Sequence, residues 1–427
     1  MLAQRLAPGP RTGTRSDRDA RQPIDLRSLS SLTILDWRQA PMASCGTLRL
    51  VAALLTGTTP LLAQATGVRA GPPAHPPLTP IEPVPGYDVT RDSAQQGSRE
   101  SLLAAPIPFY NSQLEAGAVL VAGGLKAFGP SATTPPSFIG LIGLATTNGS
   151  WGAGLGGRIY TRDDAWRLQA GAMLLDVRLQ FYGIGERGDQ SVTLREEVLP
   201  FLLQGTRRVA PGIYLGLRGQ YSTATVTVLD SIPAGFPPAN YDDRSYHQLA
   251  LAPVFQLDSR DDQMYPTRGW LVDLTALFMS DQLGSDSTMQ NYTSLITWTH
   301  GWGDQANVLT AEFLGCYSSG QVPFDQLCLV GARNGLRGYE PARYLDYTQV
   351  TVQAEYRRKL GRFGLAVFGG VAQTAATPGD LSTDDLLPAA GAGIRYQLLK
   401  QYPLHYRVDV AFGRDGAQLY FSLGEAF

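Results

Sequence analysis

Asp163-Asp164 and Asp261-Asp262 are adjacent acid pairs, a residue type and spacing from which calcium sites and general acid/base catalysis are built. Each pair lies in a stretch of turn residues, where aspartate also serves simply to hydrogen-bond nearby backbone, so the acids alone do not specify a catalyst. No Gly-x-Ser-x-Gly elbow, His-Glu-x-x-His helix or paired Ser/His arrangement occurs. His75, His247, His300 and His405 are scattered, and with Cys316 and Cys328 they form no zinc pattern. A non-enzyme without metal or other cofactor is expected. The residue that draws attention is Arg337, in a long glycine-containing loop that leads into an alternating strand carrying Glu355 and Arg357.

That strand sets the pattern for the elements around it. Val350, Val352, Ala354 and Tyr356 fall on one face and Thr351, Gln353, Glu355 and Arg357 on the other, a period of two. Trp270, Val272, Leu274, Ala276 and Phe278 oppose Asp273 and Thr275 in the same way. Leu404, Tyr406, Val408, Val410 and Phe412 oppose His405, Arg407 and Asp409, and Ile394, Tyr396 and Leu398 oppose Arg395 and Gln397. Strands are expected at 113–127, 138–146, 151–161, 167–178, 192–203, 213–228, 247–257, 270–279, 292–302, 307–316, 350–360, 363–373, 389–397, 405–412 and 418–427. An antiparallel barrel with both ends on one side needs an even count, so a weakly signalled strand is placed near 102–110, giving roughly 16.

Periodicity alone does not say whether the apolar face looks inward, as in a β-sandwich, or outward to lipid. The many long strands without a helical segment, the lack of edge protection and the alternation of short with long connections favour a closed transmembrane antiparallel β-barrel. Short turns such as 162–165 and 303–305 are expected on the periplasmic side, and long loops such as 229–244, 280–290 and 317–349 outside. The chain of 427 residues carries a formal net charge of -2, which argues against a nucleic-acid partner. It contains no apolar run long enough for a spanning helix, a statement that leaves barrel strands untouched.

The N-terminal part reads as processing and linker sequence. Arg49 precedes Leu50-Val51-Ala52-Ala53-Leu54-Leu55, and the small residues Ala63-Gln64-Ala65 follow Leu61-Leu62, the layout of a secretory signal cleaved before Thr66. Residues 42–65 are thus expected to be a signal peptide beginning at Met42. Residues 1–41 read as a mis-assigned upstream extension, with an organelle transit peptide as the other option. Residues 66–100 form a Pro-rich linker, and 101–427 the barrel. Export leaves Cys316 and Cys328 in an oxidising compartment, where pairing across the base of the loop and two separate thiols are both open.

Three motifs in order resemble the BamA/TamA superfamily of outer-membrane assembly and secretion barrels, also called the bacterial surface antigen family. Leu336-Arg337-Gly338-Tyr339, followed by Glu355-Tyr356-Arg357, is similar to that family's Val-Arg-Gly-Phe/Tyr loop motif. Asp258-Ser259-Arg260-Asp261 through Pro266-Thr267-Arg268-Gly269-Trp270 is similar to its strand-turn-strand signature. The last strand, with Leu419, Phe421, Leu423 and Phe427 on one face, looks like the targeting signal read by barrel assembly machinery, although Glu425 interrupts it.

The resemblance implies that the sixth outer loop folds back into the lumen and that Arg337 contacts interior strand residues. Glu355, Asp409, Arg357, Arg395 and Arg407 are the expected lumenal neighbours, because a guanidinium inside a narrow barrel must be paired. Phe368-Gly369-Gly370-Val371-Ala372 departs from the family's Phe-x-Asp-x-Gly, leaving Gly370 where a carboxylate is usual. The linker also leaves no room for a periplasmic POTRA domain, which makes this a POTRA-less member by expectation. The implied role is outer-membrane protein insertion or translocation, by a seam between first and last strands that opens and templates an incoming strand. The alternative is a passive channel or structural surface barrel. Expected partners are outer-membrane lipid, the assembly machinery, and client outer-membrane proteins or a separate periplasmic partner. The expected location is the outer membrane of a Gram-negative-type bacterium.

Overall fold

The computed structural model describes residues 100–427, apart from 112, 130–133, 186–189, 233–243, 332–334, 341–342 and 400–401. The expected extension, signal and all but the last residue of the linker lie outside the described residues. Sixteen antiparallel strands make a single barrel wall. In chain order they begin with β1 (Ser101–Asn111), β2 (Glu115–Lys126), β3 (Ser137–Thr146), β4 (Trp151–Tyr160), β5 (Trp166–Phe181) and β6 (Val192–Ala210). They continue with β7 (Ile213–Val228), β8 (Arg244–Asp258), β9 (Gly269–Met279), β10 (Met289–Trp302) and β11 (Asn307–Gly320). Two short strands, β12 (Cys328–Leu329) and β13 (Leu345–Asp346), pair with each other inside the long loop. The wall resumes with β14 (Thr348–Leu360), β15 (Phe363–Ala375), β16 (Leu387–Gln397), β17 (His405–Gly413) and β18 (Gly416–Leu423), and β18 meets β1.

The apolar faces look outward. Leu274, Phe278, Val352, Ile394, Val410 and Phe412 are exposed on the barrel surface, while Thr275, Gln353, Glu355, Arg395 and Asp409 are buried within. Aromatic rings mark the periplasmic edge of the outer face: Trp270, Trp298, His300, Trp302 and Tyr356 contact one another in sequence at centroid distances of 6.4, 6.0, 6.2 and 5.9 Å. Such rings, with an apolar body and a polar edge, suit the membrane–water boundary.

Several strands run past their expected ends, and the reason is physical. In the outer part of β5, β6 and β7 the pattern inverts: Phe181, Val192, Leu194, Ala224 and Val226 are buried inside, while Asp176 and Arg195 pair at 2.7 Å on the outside. Above the lipid the wall meets water on its outer face and a folded loop on its inner one. There the strands behave as a soluble sheet would, and the membrane-type alternation stops. The same loop completes this inner core with Val322, Leu327 and Leu345.

The expectation of uniformly short periplasmic turns does not hold. The β2–β3 and β8–β9 connections, 127–136 and 259–268, are both long. The latter folds beneath the lumen, where the Arg357 Nη2 donates to the Pro266 carbonyl at 3.1 Å and the Tyr265 ring lies 4.8 Å from that of His405. Connection length there reflects the closing of the barrel floor.

Candidate functional site

The loop between β11 and β14 is fastened at its root, along its length and at its tip. At the root, Cys316 on the inner face of β11 and Cys328 form a disulfide with Cα atoms 5.7 Å apart. Next to it, Ser318 donates to the Gln326 carbonyl at 3.1 Å. The Asp325 carboxylate accepts from Gln248 of β8 at 3.1 Å and from Gln326 at 3.0 Å. Toward the tip, Val330, Leu336, Tyr339 and Tyr344 pack on Ala372, Leu387 and Ala389 of the inner wall. Apolar packing brings the loop inside, and it thereby carries Arg337 away from water.

Arg337 is 7% exposed and touches two acids from different strands: its Nη1 donates to Glu355 Oε2 at 2.7 Å and to Asp409 Oδ2 at 2.8 Å. The guanidinium plane lies over the Phe368 ring, 3.4 Å from its centroid, and 5.3 Å from that of Phe427. Stacking covers the apolar face of the cation while its edge keeps charge-assisted hydrogen bonds. Gly370, where an acid would stand in the related pattern, is paired in register with Gln353, and a Cβ there would collide with the Val352 carbonyl. Asp409 on β17 supplies the second carboxylate instead. Gly393, its register partner on β16, leaves the space, because any Cβ at 393 would overlap the Asp409 carboxylate.

The surrounding cations hold these acids rather than the loop. Arg395 bridges Asp409 Oδ1 at 2.5 Å and Glu355 Oε2 at 3.0 Å, and Arg407 Nε is 3.4 Å from Asp409. Arg357 stands lower, donating to Thr310 Oγ1 at 2.8 Å and to Pro266, which ties the network to the floor. The floor has its own arginines. Asp258 accepts from Arg260 at 2.9 Å and from Arg167 at 2.9 Å, and Asp164 accepts from Arg167 at 2.7 Å. Asp261 accepts from the N–H groups of Thr267 and Arg268, so that it closes the turn, and Gly269 follows at φ +114. Both adjacent-acid pairs are therefore engaged by arginines and backbone. Among the described residues no group of three or more His, Cys, Asp or Glu is arranged to hold a metal.

One expectation is corrected at the C-terminus. Leu419, Phe421 and Leu423 share the face of their partners Val410, Val408 and Tyr406, but the strand ends at Leu423 and Phe427 does not continue that face. Gly424 takes φ +83 and turns the tail into the lumen. There Glu425 meets Arg395 at 3.0 Å, His405 at 3.1 Å and Arg357 at 3.5 Å. A carboxylate two residues from the end is better satisfied inside, by two buried arginines and His405, than it could be on a lipid-facing strand. Sequence reasoning also passed over Tyr420, whose hydroxyl accepts from the Gly338 N–H at 2.9 Å and donates to the Tyr339 carbonyl at 3.2 Å.

The wall itself is uneven. The β17–β18 register runs from Tyr406↔Leu423 to Gly413↔Gly416, and β1–β2 pairs from Ser101↔Leu125 to Asn111↔Glu115. Between β1 and β18, among the described residues, the register holds at Tyr110↔Leu419 alone. Pro106 and Pro108 leave β1 short of two backbone donors, a composition that a strand tolerates at an edge. The glycines Gly117 and Gly123 are on β2, close against Phe109 and Ile139, so they serve packing there.

The model for the Omp85 superfamily domain matches residues 189–427, more than half of the chain. The chain belongs to the Omp85 superfamily. This Omp85 barrel is similar to the crystal structure of BamA from Haemophilus ducreyi lacking POTRA domains 1–3, at 13% identity and a TM-score of 0.50, covering 78% of this chain and 75% of that one. It is also similar to CdiB from Acinetobacter baumannii, at 10% identity and a TM-score of 0.51, covering 76% of this chain and 59% of that one. Likenesses at such identities describe the fold. A search of curated proteins finds no match. An Omp85 barrel is an outer-membrane protein of an insertion and translocation family, a family of transporters and insertases.

Proposed function

We propose that this barrel inserts or translocates outer-membrane polypeptides through the β1–β18 seam. The observation that carries the reading is the single register pair among the described residues of this seam, Tyr110↔Leu419, against extended pairing along the other strand junctions, broken only by short interruptions in β5–β6, β6–β7 and β8–β9. A strand edge released from pairing offers a row of N–H and C=O groups, and an incoming strand in extended form satisfies them by β-augmentation. The loop tip and the C-terminal tail hold β18 from inside while β1 is left to part from it. No step in this mechanism needs a covalent intermediate, and a non-enzymatic role follows from it.

In this reading Leu336, Arg337, Gly338 and Tyr339 brace the interior, and the 258–269 turn keeps the floor in place. Export through the 42–65 signal and a separate periplasmic partner complete the proposal. Depleting the protein and quantifying the outer-membrane proteome tests it: selective loss of particular barrels supports the role, and an unchanged proteome contradicts it. A second reading, a passive channel, is favoured by the lumenal cavity of about 850 Å³ lined mainly by β4 to β10. Planar-bilayer conductance with and without residues 331–339 separates the two, since a permanently larger conductance with normal biogenesis belongs to a channel.

A further inference from the structure

The lumenal wall opposite the ionic network carries a polar row that neither the seam nor the loop uses. Arg158 on β4 is the register partner of Gln169 on β5, Gln169 of Gln204 on β6, and Gln204 of Arg218 on β7. The four side chains therefore lie along one rung of the sheet, in the order Arg, Gln, Gln, Arg. At about 4.8 Å per strand the rung spans about 14 Å. All four line the cavity of about 850 Å³, which extends to Pro135, Pro136 and Met264 at the periplasmic rim.

The hydrogen bonds give the rung one polarity. Arg158 Nη2 donates to Gln169 Oε1 at 2.7 Å, and Arg218 Nε donates to Gln204 Oε1 at 2.8 Å. Each carboxamide spends its acceptor on a guanidinium, which turns its N–H₂ group away from that contact. Neither Nε2 makes a hydrogen bond among the described residues. Arg158 has no carboxylate within ion-pair distance among the described residues, in contrast to Arg167 and Arg260 on the same cavity, which are matched by Asp164 and Asp258. The acid facing this space, Asp273, is engaged by Gln256 at 2.6 Å and Thr275 at 3.2 Å. A row of guanidinium and carboxamide donors in a space of this size matches an elongated oxyanion with charge at both ends.

We propose that Arg158, Gln169, Gln204 and Arg218 form a lumenal binding site for a small, multiply charged oxyanion that enters from the periplasm. The site is independent of the seam. The test is isothermal titration of the purified full-length barrel in a neutral detergent with inorganic tripolyphosphate, and in a second arm with citrate. The arms distinguish a phosphate-bearing from a carboxylate-bearing ligand. Saturable binding of at least one probe is expected, weakened at least 10-fold in Arg158→Gln/Arg218→Gln. A second variant, Gln169→Glu/Gln204→Glu, retains both arginines and gives each a carboxylate in register, so it keeps the wall intact while filling the site from within. It too is expected to lose at least 10-fold in affinity while keeping the heat-modifiable mobility of a folded barrel. No binding of either probe, or unchanged affinity in a folded Gln169→Glu/Gln204→Glu barrel, overturns the proposal.

Discussion

Among the described residues Tyr110 of β1 is set opposite Leu419 of β18 as the sole register pair of the closing seam, although β18 is well fastened on every other side. Its outer neighbour is β17 along its whole length, its Tyr420 hydroxyl holds the loop tip, and its tail ends among Arg395, Arg357 and His405. The last strand is thus bound more firmly to the lumen than to the first strand. Backbone pairs each contribute modestly in net terms, about 1 kcal/mol, so a seam with few of them opens at little cost while the rest of the wall stays shut.

The loop anchor depends on geometry as well as charge. Arg337→Gln leaves Glu355 and Asp409 with Arg395 but removes the link to the loop, and a loss on the order of 3 kcal/mol is expected. Arg337→Lys should restore little, because an ammonium cannot both stack on Phe368 and bridge two acids. Limited proteolysis checks this: the loop between β11 and β14 becomes cleavable in both variants and stays resistant in the parent.

The root of the loop is held covalently. Replacing Cys316 and Cys328 with serine is expected to lower stability by about 2–4 kcal/mol through the larger freedom of the unfolded chain. The thermal midpoint should fall in the double variant and, equally, in the parent under a reductant. The inward position of the tip should survive, since Arg337 and Tyr339 hold it separately.

Two loop aspartates should respond to pH with opposite sign. Partial burial raises the Asp261 carboxyl, but the Thr267 hydroxyl and the N–H groups of Thr267, Arg268 and Asp262 outweigh it and hold the group below its ordinary 3.8. Its stabilisation is complete above that ordinary value and is lost as pH falls through the lower folded one. Asp325 is pushed up by burial, and the carboxamides of Gln326 and Gln248 oppose the shift without reversing it. Ionising Asp325 therefore costs stability as pH rises above 3.8 toward its raised value. Thermal midpoints measured across pH check both: Asp261→Asn should be most harmful at neutral pH, and Asp325→Asn should gain on the parent as pH rises.

The tail gives a further prediction. Glu425→Gln removes the charge that holds two guanidinium groups and His405, and the turn at Gly424 then has less to keep it inside. Carboxypeptidase should release Phe427 from the variant at least 10-fold faster than from the parent. Equal rates would mean that the tail is held by Phe427 and backbone alone.

Most of the wall was legible because lipid enforces a strict alternation: Trp270 to Phe278 and Val350 to Arg357 could be assigned face by face. Where the wall leaves the lipid, as at Phe181 and Leu194, the alternation reverses and the expected strands stopped early. Asp409 was readable as an inward acid, but its bond to Arg337 depends on Gly393 making room, a relation between strands that no local pattern encodes. Glu425 was visible as an interruption of the last strand's apolar face. That break was the one local sign of a tail that turns inward, and Tyr420 left no sign at all. The Arg-Gln-Gln-Arg rung was likewise hidden, since it forms only when four separate strands are set in register.

The most direct measurement of the central claim is a reversible lock on the seam. In cells that depend on this protein, the pair Tyr110→Cys and Leu419→Cys should form a disulfide across β1 and β18 and stop assembly of the outer-membrane proteins lost on depletion, and a reductant should restore it while either single variant works normally. Normal assembly with the seam fully cross-linked would contradict the account.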